Sequence, residues 1–499
     1  MQYFIYRFLP FYFRRAKGLT LLERMKFHVR LIKILAPIIL LVTISSCKKF
    51  VDIDPPPTQL VTATVFNNNE AATSAMTGIY SQMYLNTESY HLSQNTGLLS
   101  DELIAHSNLP SQRQFYTNSM VASSIQGPWK NAYSYIYQAN AILEAVTNNS
   151  ALNEAVAKQL KGEALFVRAF WHFYLTNCYG DVPLVTSSNY VTNSSLSRTS
   201  KSSVYEQVVV DLQAAQGLLS DQFVDASDTT VTLDRVRPTK WAASALMART
   251  YLYIGNWAGA ESAATAVIEN SSMFQLVPLS GVFLSNSMEA IWQIATPLPT
   301  TVNTLDGQYY VLTAAPSTSG ANSSTLSPFL LDSFETNDGR YAAWVDSITI
   351  RGNTYYFPSK YKGNKLNFSG DVTEYTMVLR LAELYLIRAE ARAHLNNVSE
   401  GLDDLNTIRS RANLSMFPAT SDPEVLLAAI LKERKIELFS EWGHRWFDLI
   451  RTNNITEVMS LVTPVKSNGS VTWNAFDSLY PIPQSELLID PNLVQNEGY

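Results

Sequence analysis

The stretch YTMVLRLAELYLIRAEARAHLNNVSEGLDDLNTIRSRANL, from Tyr375 to Leu414, decides the fold. Apolar residues recur at helical spacing on two faces of its first half. Val378, Leu381, Tyr385 and Ala389 make one stripe, and Leu384, Ile387, Ala391 and Leu395 make the other. A helix apolar on two faces is packed between neighbours. A polar break follows at Asn396–Ser399, and a second helix then carries Leu402, Leu405, Ile408 and Ala412 on one side. Two amphipathic helices joined by a few polar residues form an αα-hairpin. Such a hairpin cannot bury both faces alone, so it requires stacked neighbours.

Working outward, the neighbours are visible. The chain reads ALFVRAFWHFYL from Ala164, ALMARTYLYIGNW from Ala245 and LYLIRAEARAHL from Leu384. In each, Arg168, Arg249 or Arg388 follows an apolar run and precedes a small residue. The middle copy continues as GNWAGAESAATAVIEN, Gly255 to Asn270. A large residue, a Gly/Asn turn and an Ala-rich second helix give the tetratricopeptide pattern. The copies are irregularly spaced, so the chain reads as a mainly α repeat scaffold with long insertions. Further helices are expected at 67–84, 128–146, 151–177, about 202–219, 238–270 and 423–441, with 105–127 polar and irregular. Composition changes near residue 275. Residues 275–374 are rich in Pro, Gly, Ser, Thr and aromatics and have little helical period, so they read as an irregular, loop-rich insertion. Short strands are expected within it at Glu289–Ala295 and Ser347–Ile350. The C-terminal LYPIPQSELLIDPNLVQNEGY is read as extended and packed back on the body.

The N-terminus has a different character. Arg30 and Lys33 precede an apolar run, Ile34–Ile44, that ends in Ser45-Ser46-Cys47. A basic region, a short apolar region and small residues make a secretory signal over residues 1–46, with Met25 as a second candidate start. Ile-Ser-Ser-Cys resembles a bacterial lipobox, in which Cys47 becomes the lipidated first residue. Residues 47–66 then form the lipidated Cys and its tether, stiffened by Pro55-Pro56-Pro57. A lipid and a spacer put the single domain, 67–499, on a membrane surface rather than inside it. Removal of the signal takes the formal net charge from -6 to about -13, a poor balance for nucleic acid. Cys178 is then the remaining thiol, in an apolar helix, and reads as a small core residue.

Taken together, the lipobox at Cys47, RAFWHFYLTNCYGDVPLV from Arg168, LRLAELYLIRAEARA from Leu379, IRSRANL from Ile408, ERKIELFSEWGHRWFDLIR from Glu433 and the terminal YPIPQSELLIDPNLVQNEGY resemble the SusD/RagB family of outer-membrane lipoproteins. The resemblance implies about four tetratricopeptide-like hairpins with an irregular half. It implies capture of oligosaccharides at the cell surface and their delivery to a SusC-like TonB-dependent transporter. A peptide ligand, as in RagB-like members, or a non-catalytic interaction scaffold are the alternatives. Lys48-Lys49 precede Asp52 and Asp54, a departure from the usual surface-export signal of such lipoproteins.

The most enzyme-like constellation is Glu437, Glu441, His444 and Asp448, one face of a helix if the helix were continuous. Its Glu441/His444 pair has di-metal spacing but lacks a second such pair, and Gly443 breaks the run. The structural reading gives these acids to Arg434, Arg445 and Arg451. No GxSxG, HExxH or GxxxxGK[ST] motif occurs. No catalytic residue, cofactor or metal ligand is assigned. Binding has better material, because sugar rings stack on Trp and Tyr while polar groups take the hydroxyls. The candidates are aromatics outside the helix cores. Trp344 comes first, then Tyr341, Tyr309 and Tyr310, with Tyr355-Tyr356 in the same region and Arg113 and Tyr116 in the earlier polar segment.

Overall fold

The computed structural model describes residues 66–125, 127–227, 229–297, 303–363 and 371–499, with Thr20 and Leu22. The signal, Cys47 and nearly all of the tether lie outside the described residues. The compact unit spans Thr62–Tyr499. Its principal helices are α1 (Asn69–Leu85), α2 (Glu88–Leu99), α3 (Trp129–Val146), α4 (Glu154–Tyr179), α5 (Lys201–Leu218), α6 (Lys240–Tyr253), α7 (Trp257–Ile268), α8 (Leu381–His394), α9 (Val398–Arg411), α10 (Pro423–Glu437), α11 (His444–Arg451) and α12 (Ile455–Lys466). Among the described residues, six short strands make three two-stranded antiparallel sheets. β1 (Leu103–Ala105) pairs with β3 (Ser324–Leu326), β2 (Ala290–Ile294) with β6 (Thr376–Arg380), and β4 (Val345–Ile350) with β5 (Asn353–Pro358).

Helices α3 to α7 pack in sequence, each on the next, and α7 then packs on α8. The long insertion therefore leaves the stack after α7 and returns to it at α8. Local signals set the hairpins. Asn153, Ser200, Thr239 and Asn256 cap α4, α5, α6 and α7 with side-chain oxygens that accept from first-turn backbone N–H groups. Gly255, at φ +73°, turns the chain between α6 and α7.

The core centres on α4, where every residue from Gly162 to Tyr179 is buried. Trp292 of β2 and Trp442 pack edge-on to Phe170 at 5.6 and 5.4 Å. The buried repeat arginines tie neighbouring helices together. Arg168 on α4 donates through Nε and Nη2 to Asp211 on α5, at 2.7 and 2.6 Å. Arg249 on α6 forks onto Glu383 on α8 at 2.7 and 2.6 Å. Arg388 on α8 forks onto Asp404 on α9 at 2.9 and 2.7 Å. Two parallel charge-assisted bonds fix orientation as well as distance.

Three expectations need correction. Thr376–Arg380 is strand, so Val378 belongs to β6 and not to a helical stripe. A short apolar run fits either period, and here pairing with β2 decides it. The helix from Pro423 ends at Glu437 rather than 441. Beyond it Ser440, Trp442 and Gly443 all have positive φ, which reverses the chain before α11. The polar segment 105–127 contains a short helix, Pro110–Tyr116, with Pro at its first turn.

Arg249→Met leaves the Glu383 carboxylate buried without its fork. It is expected to cost about 3–5 kcal/mol of stability by urea denaturation, and Arg249→Met with Glu383→Met to recover most of that loss.

Candidate ligand-binding surface

The insertion is bolted to the helical stack by a buried array of charges around Glu437. Arg380, at the end of β6, donates to Glu437 Oε1 (2.6 Å), Glu289 Oε1 (3.0 Å) and Glu441 Oε2 (2.8 Å). Arg411 of α9 donates to Glu289 at 2.6 Å and also reaches Glu437. From the insertion, Arg340 pairs with Asp338, Glu433 and Glu437 at 2.8, 2.6 and 3.1 Å. Lys360 donates to the Glu437 carbonyl at 2.9 Å and pairs with Glu441. Burial alone would raise the Glu437 carboxyl; Arg411, Arg380 and Arg340 outweigh it and hold the group well below the usual range.

This array explains where Trp344 goes. The first binding candidate is 1% exposed and closes over the cations. Its ring lies 4.8 Å from Lys360 Nζ and 5.8 Å from the Arg380 and Arg411 guanidinium carbons. Its Nε1 donates to the Leu279 carbonyl at 3.1 Å. A large ring among polar neighbours is here a cation–π partner of buried charge and not a platform for a ligand. Tyr310 is corrected likewise, since it is 3% exposed and packs edge-on to Tyr90 at 4.9 Å.

The enzyme-like constellation is dispersed the same way. Glu437 and Glu441 belong to the array. Asp448 accepts from Arg434 and Arg451 at 2.7 and 2.8 Å. His444 faces Glu383 at 3.9 Å, and burial with Arg249 and Arg434 nearby holds its pKa well below normal. Arg445, expected on these acids, forks instead onto Asp101 at 2.8 and 2.9 Å.

Most of the remaining candidates lie near β1, β3 and β5. Arg113 is exposed on the short helix Pro110–Tyr116. Its Nη1 points to the Ala105 carbonyl at 3.5 Å and its guanidinium stands 5.5 Å from the Tyr116 ring. Tyr116 is half-buried, with Lys466 Nζ also 5.5 Å from the ring. Beside Ala105, His106 bonds Thr325 of β3 through Nε2 at 2.9 Å and meets Tyr355 of β5 edge-on at 5.6 Å. His106 and Tyr355 are both partly exposed. The loop 311–323 closes this surface. Asn108 N donates to the Thr318 carbonyl (2.8 Å), Ser323 Oγ to Gln112 Oε1 (3.0 Å), and Asn322 N to the Tyr309 carbonyl (3.1 Å). Tyr309 is half-buried against Tyr90 at its margin. Tyr341 is 38% exposed, packs on Phe334 at 5.4 Å and lies beside the Tyr356 phenol, on the opposite face of the hairpin from Tyr355. His106 was not foreseen, because a lone histidine in a polar segment carries no periodic signal.

Two small cavities lie beside Asp306. One is lined by Glu88, Ser89, Asp306 and Thr376 among others, the other by Asp306, Tyr310, Lys360 and Ser440 among others. Each has room for about one water and none for a sugar ring. Burial raises the carboxyl pKa of Glu88 to about 7, of Asp306 to about 6 and, with Asp101 adding, of Glu102 to about 8. The surface that these residues make is extended and partly aromatic.

Residues 341–499 match the profile of the SusD family, and residues 49–252 match one described as starch-binding associating with outer membrane. This chain belongs to the SusD family, whose members are non-catalytic binding proteins. It is 27% identical over 434 residues to SusD-like protein P25 of Formosa agariphila, across 76% of this chain and 81% of that one. In fold it is similar to a SusD superfamily protein from Bacteroides vulgatus, with TM-score 0.73, 20% identity, and 86% and 99% of the two chains covered. A laminarin binding SusD-like protein is similar too, with TM-score 0.68, 22% identity and the same coverage. Among the described residues, no helix is long and apolar enough to cross a membrane.

Two outcomes follow from the packing. Trp344→Ala is expected to destabilise the protein by about 3–5 kcal/mol, read by denaturant unfolding. Glu88 has a raised folded pKa, so its contribution is full below about pH 4.5 and is lost as pH rises through about 7. Glu88→Gln should therefore match wild type near pH 4 and exceed it by about 3 kcal/mol near pH 8, by urea midpoints across that range.

Proposed function

We propose that this protein is a lipid-anchored, cell-surface glycan-binding protein that captures oligosaccharides and hands them to a SusC-like TonB-dependent transporter. The observation that carries the reading is the partly exposed Tyr355–His106 pair beside Arg113, inside a chain of the SusD family. A tyrosine ring offers its face to the C–H side of a pyranose, and imidazole and guanidinium groups take hydroxyls. Tyr309 and Tyr116 form the margins of this surface. The starch-binding and outer-membrane wording of the matched profile and the laminarin-binding neighbour support carbohydrate as the ligand and the outer membrane as the place. Cys47 carries the anchor, and residues 48–66 act as the spacer.

Calorimetry of the mature protein against plant, host and microbial glycans tests capture. Tyr355→Ala and His106→Ala are each expected to weaken the best binder about tenfold at an unchanged melting temperature. A wholly blank panel would contradict the reading. Cys47→Ala should abolish labelling by a palmitate analogue and release the protein from the membrane fraction, and retained labelling would remove Cys47 as the anchor site.

A further inference from the structure

The arginines of the repeat helices and of the central array are matched by carboxylates. Arg113 is different. It is exposed, and among the described residues it meets only the Ala105 carbonyl and the Tyr116 ring. A second exposed arginine, Arg351, stands at the tip of the hairpin that carries Tyr355. Its backbone is left-handed, at φ +52°, followed by Gly352 at φ +82°. Two consecutive left-handed residues in a tight hairpin turn favour Asn-Gly, and a long side chain in the first place costs about 1 kcal/mol. Arginine is kept there at a conformational cost.

Around these residues cations outnumber acids. The segments that build the surface are 103–117, 311–326 and 345–358. Within them the ionisable groups other than tyrosine are Arg113, Arg351, His106 and one acid, Asp346. Asp346 pairs across the hairpin with Phe357, at the end away from the Arg351 turn. The whole chain carries a formal net charge of -6, so the sign is reversed locally. A guanidinium also donates to hydroxyls, but Asn, Gln, Ser and Thr on this surface already serve those, and two guanidinium groups without a carboxylate partner exceed what a neutral sugar requires. Arginine presents a planar fork that fits carboxylate and sulfate oxygens in pairs.

We infer that the oligosaccharide held at this surface is acidic, with a carboxylate or sulfate ester seated on Arg113 while Tyr355 stacks on the sugar face and Arg351 flanks the anion. The inference rests on the glycan-binding reading above and names the ligand class. Uronates and sulfated sugars present the same anion chemistry, and matched probes separate them.

The test is calorimetry of the mature protein with oligogalacturonate and its methyl ester, and with a sulfated galactan oligosaccharide and its desulfated form. Maltohexaose and laminarihexaose are the neutral references. At least one acidic probe should bind about tenfold or more tightly than its neutralised form and weaken as NaCl rises from about 20 to about 300 mM. Arg113→Gln should remove that preference without changing the melting temperature, and Arg351→Gln should reduce it. Equal binding of acidic and neutralised probes, or tighter binding of a neutral reference, would overturn the acidic class while leaving glycan capture intact. Full discrimination retained by Arg113→Gln would overturn the seat. No binding by any probe would overturn glycan capture, and this inference with it.

Discussion

The rest of the structure depends on the buried carboxylate of Glu437. Three guanidinium groups converge on it, from β6, from α9 and from the insertion. An isolated charge at that depth would be very costly, so the elements that bring the arginines are fixed relative to one another. The insertion, which has little helical period and few strand bonds of its own, gains a defined position this way. Trp344 closes the array from above, and the hairpin that follows it carries Tyr355 to His106. Rigidity at the centre thus sets the geometry of the surface.

A second use of the same chemistry runs through the repeats. Arg168, Arg249 and Arg388 occupy equivalent places in three helices, and each forks onto an acid of another helix of the stack. Arg249 spans the insertion, since Glu383 lies on the far side of it in sequence. That bond, together with the packing of α7 on α8, lets the stack close over the excursion. Buried ion pairs add little net stability compared with apolar contacts, but they are unforgiving of misregister. In a scaffold of Ala-rich, interchangeable faces they specify which helix meets which.

Much of the fold was legible in the sequence, because helical stacks leave a strong periodic imprint. The Tyr375–Leu414 hairpin, the repeated arginine and the change of composition near residue 275 gave the helices and the insertion. Legibility failed where long-range pairing decides. Thr376–Arg380 reads equally as helix or strand until β2 lies beside it. Trp344 looked exposed because it lies in a segment with little helical period, whereas its spatial neighbours are Phe283, Lys360 and Arg380. Arg113, Tyr116 and Tyr309 lie on or beside the candidate surface, Tyr341 meets the other face of the hairpin through Tyr356, and His106 gave no pattern to find. The signal available for it was the absence of acids across residues 103–117 of an otherwise acidic chain.

The most direct test of the account is the structure of the protein with a bound oligosaccharide. The account predicts sugar density on the face formed by Tyr355, His106 and Arg113, with the Glu437 array and Trp344 unchanged beneath it. Density elsewhere on the molecule, for example on the half-exposed Trp257 that stacks on His394 at the end of the helical hairpins, would contradict it.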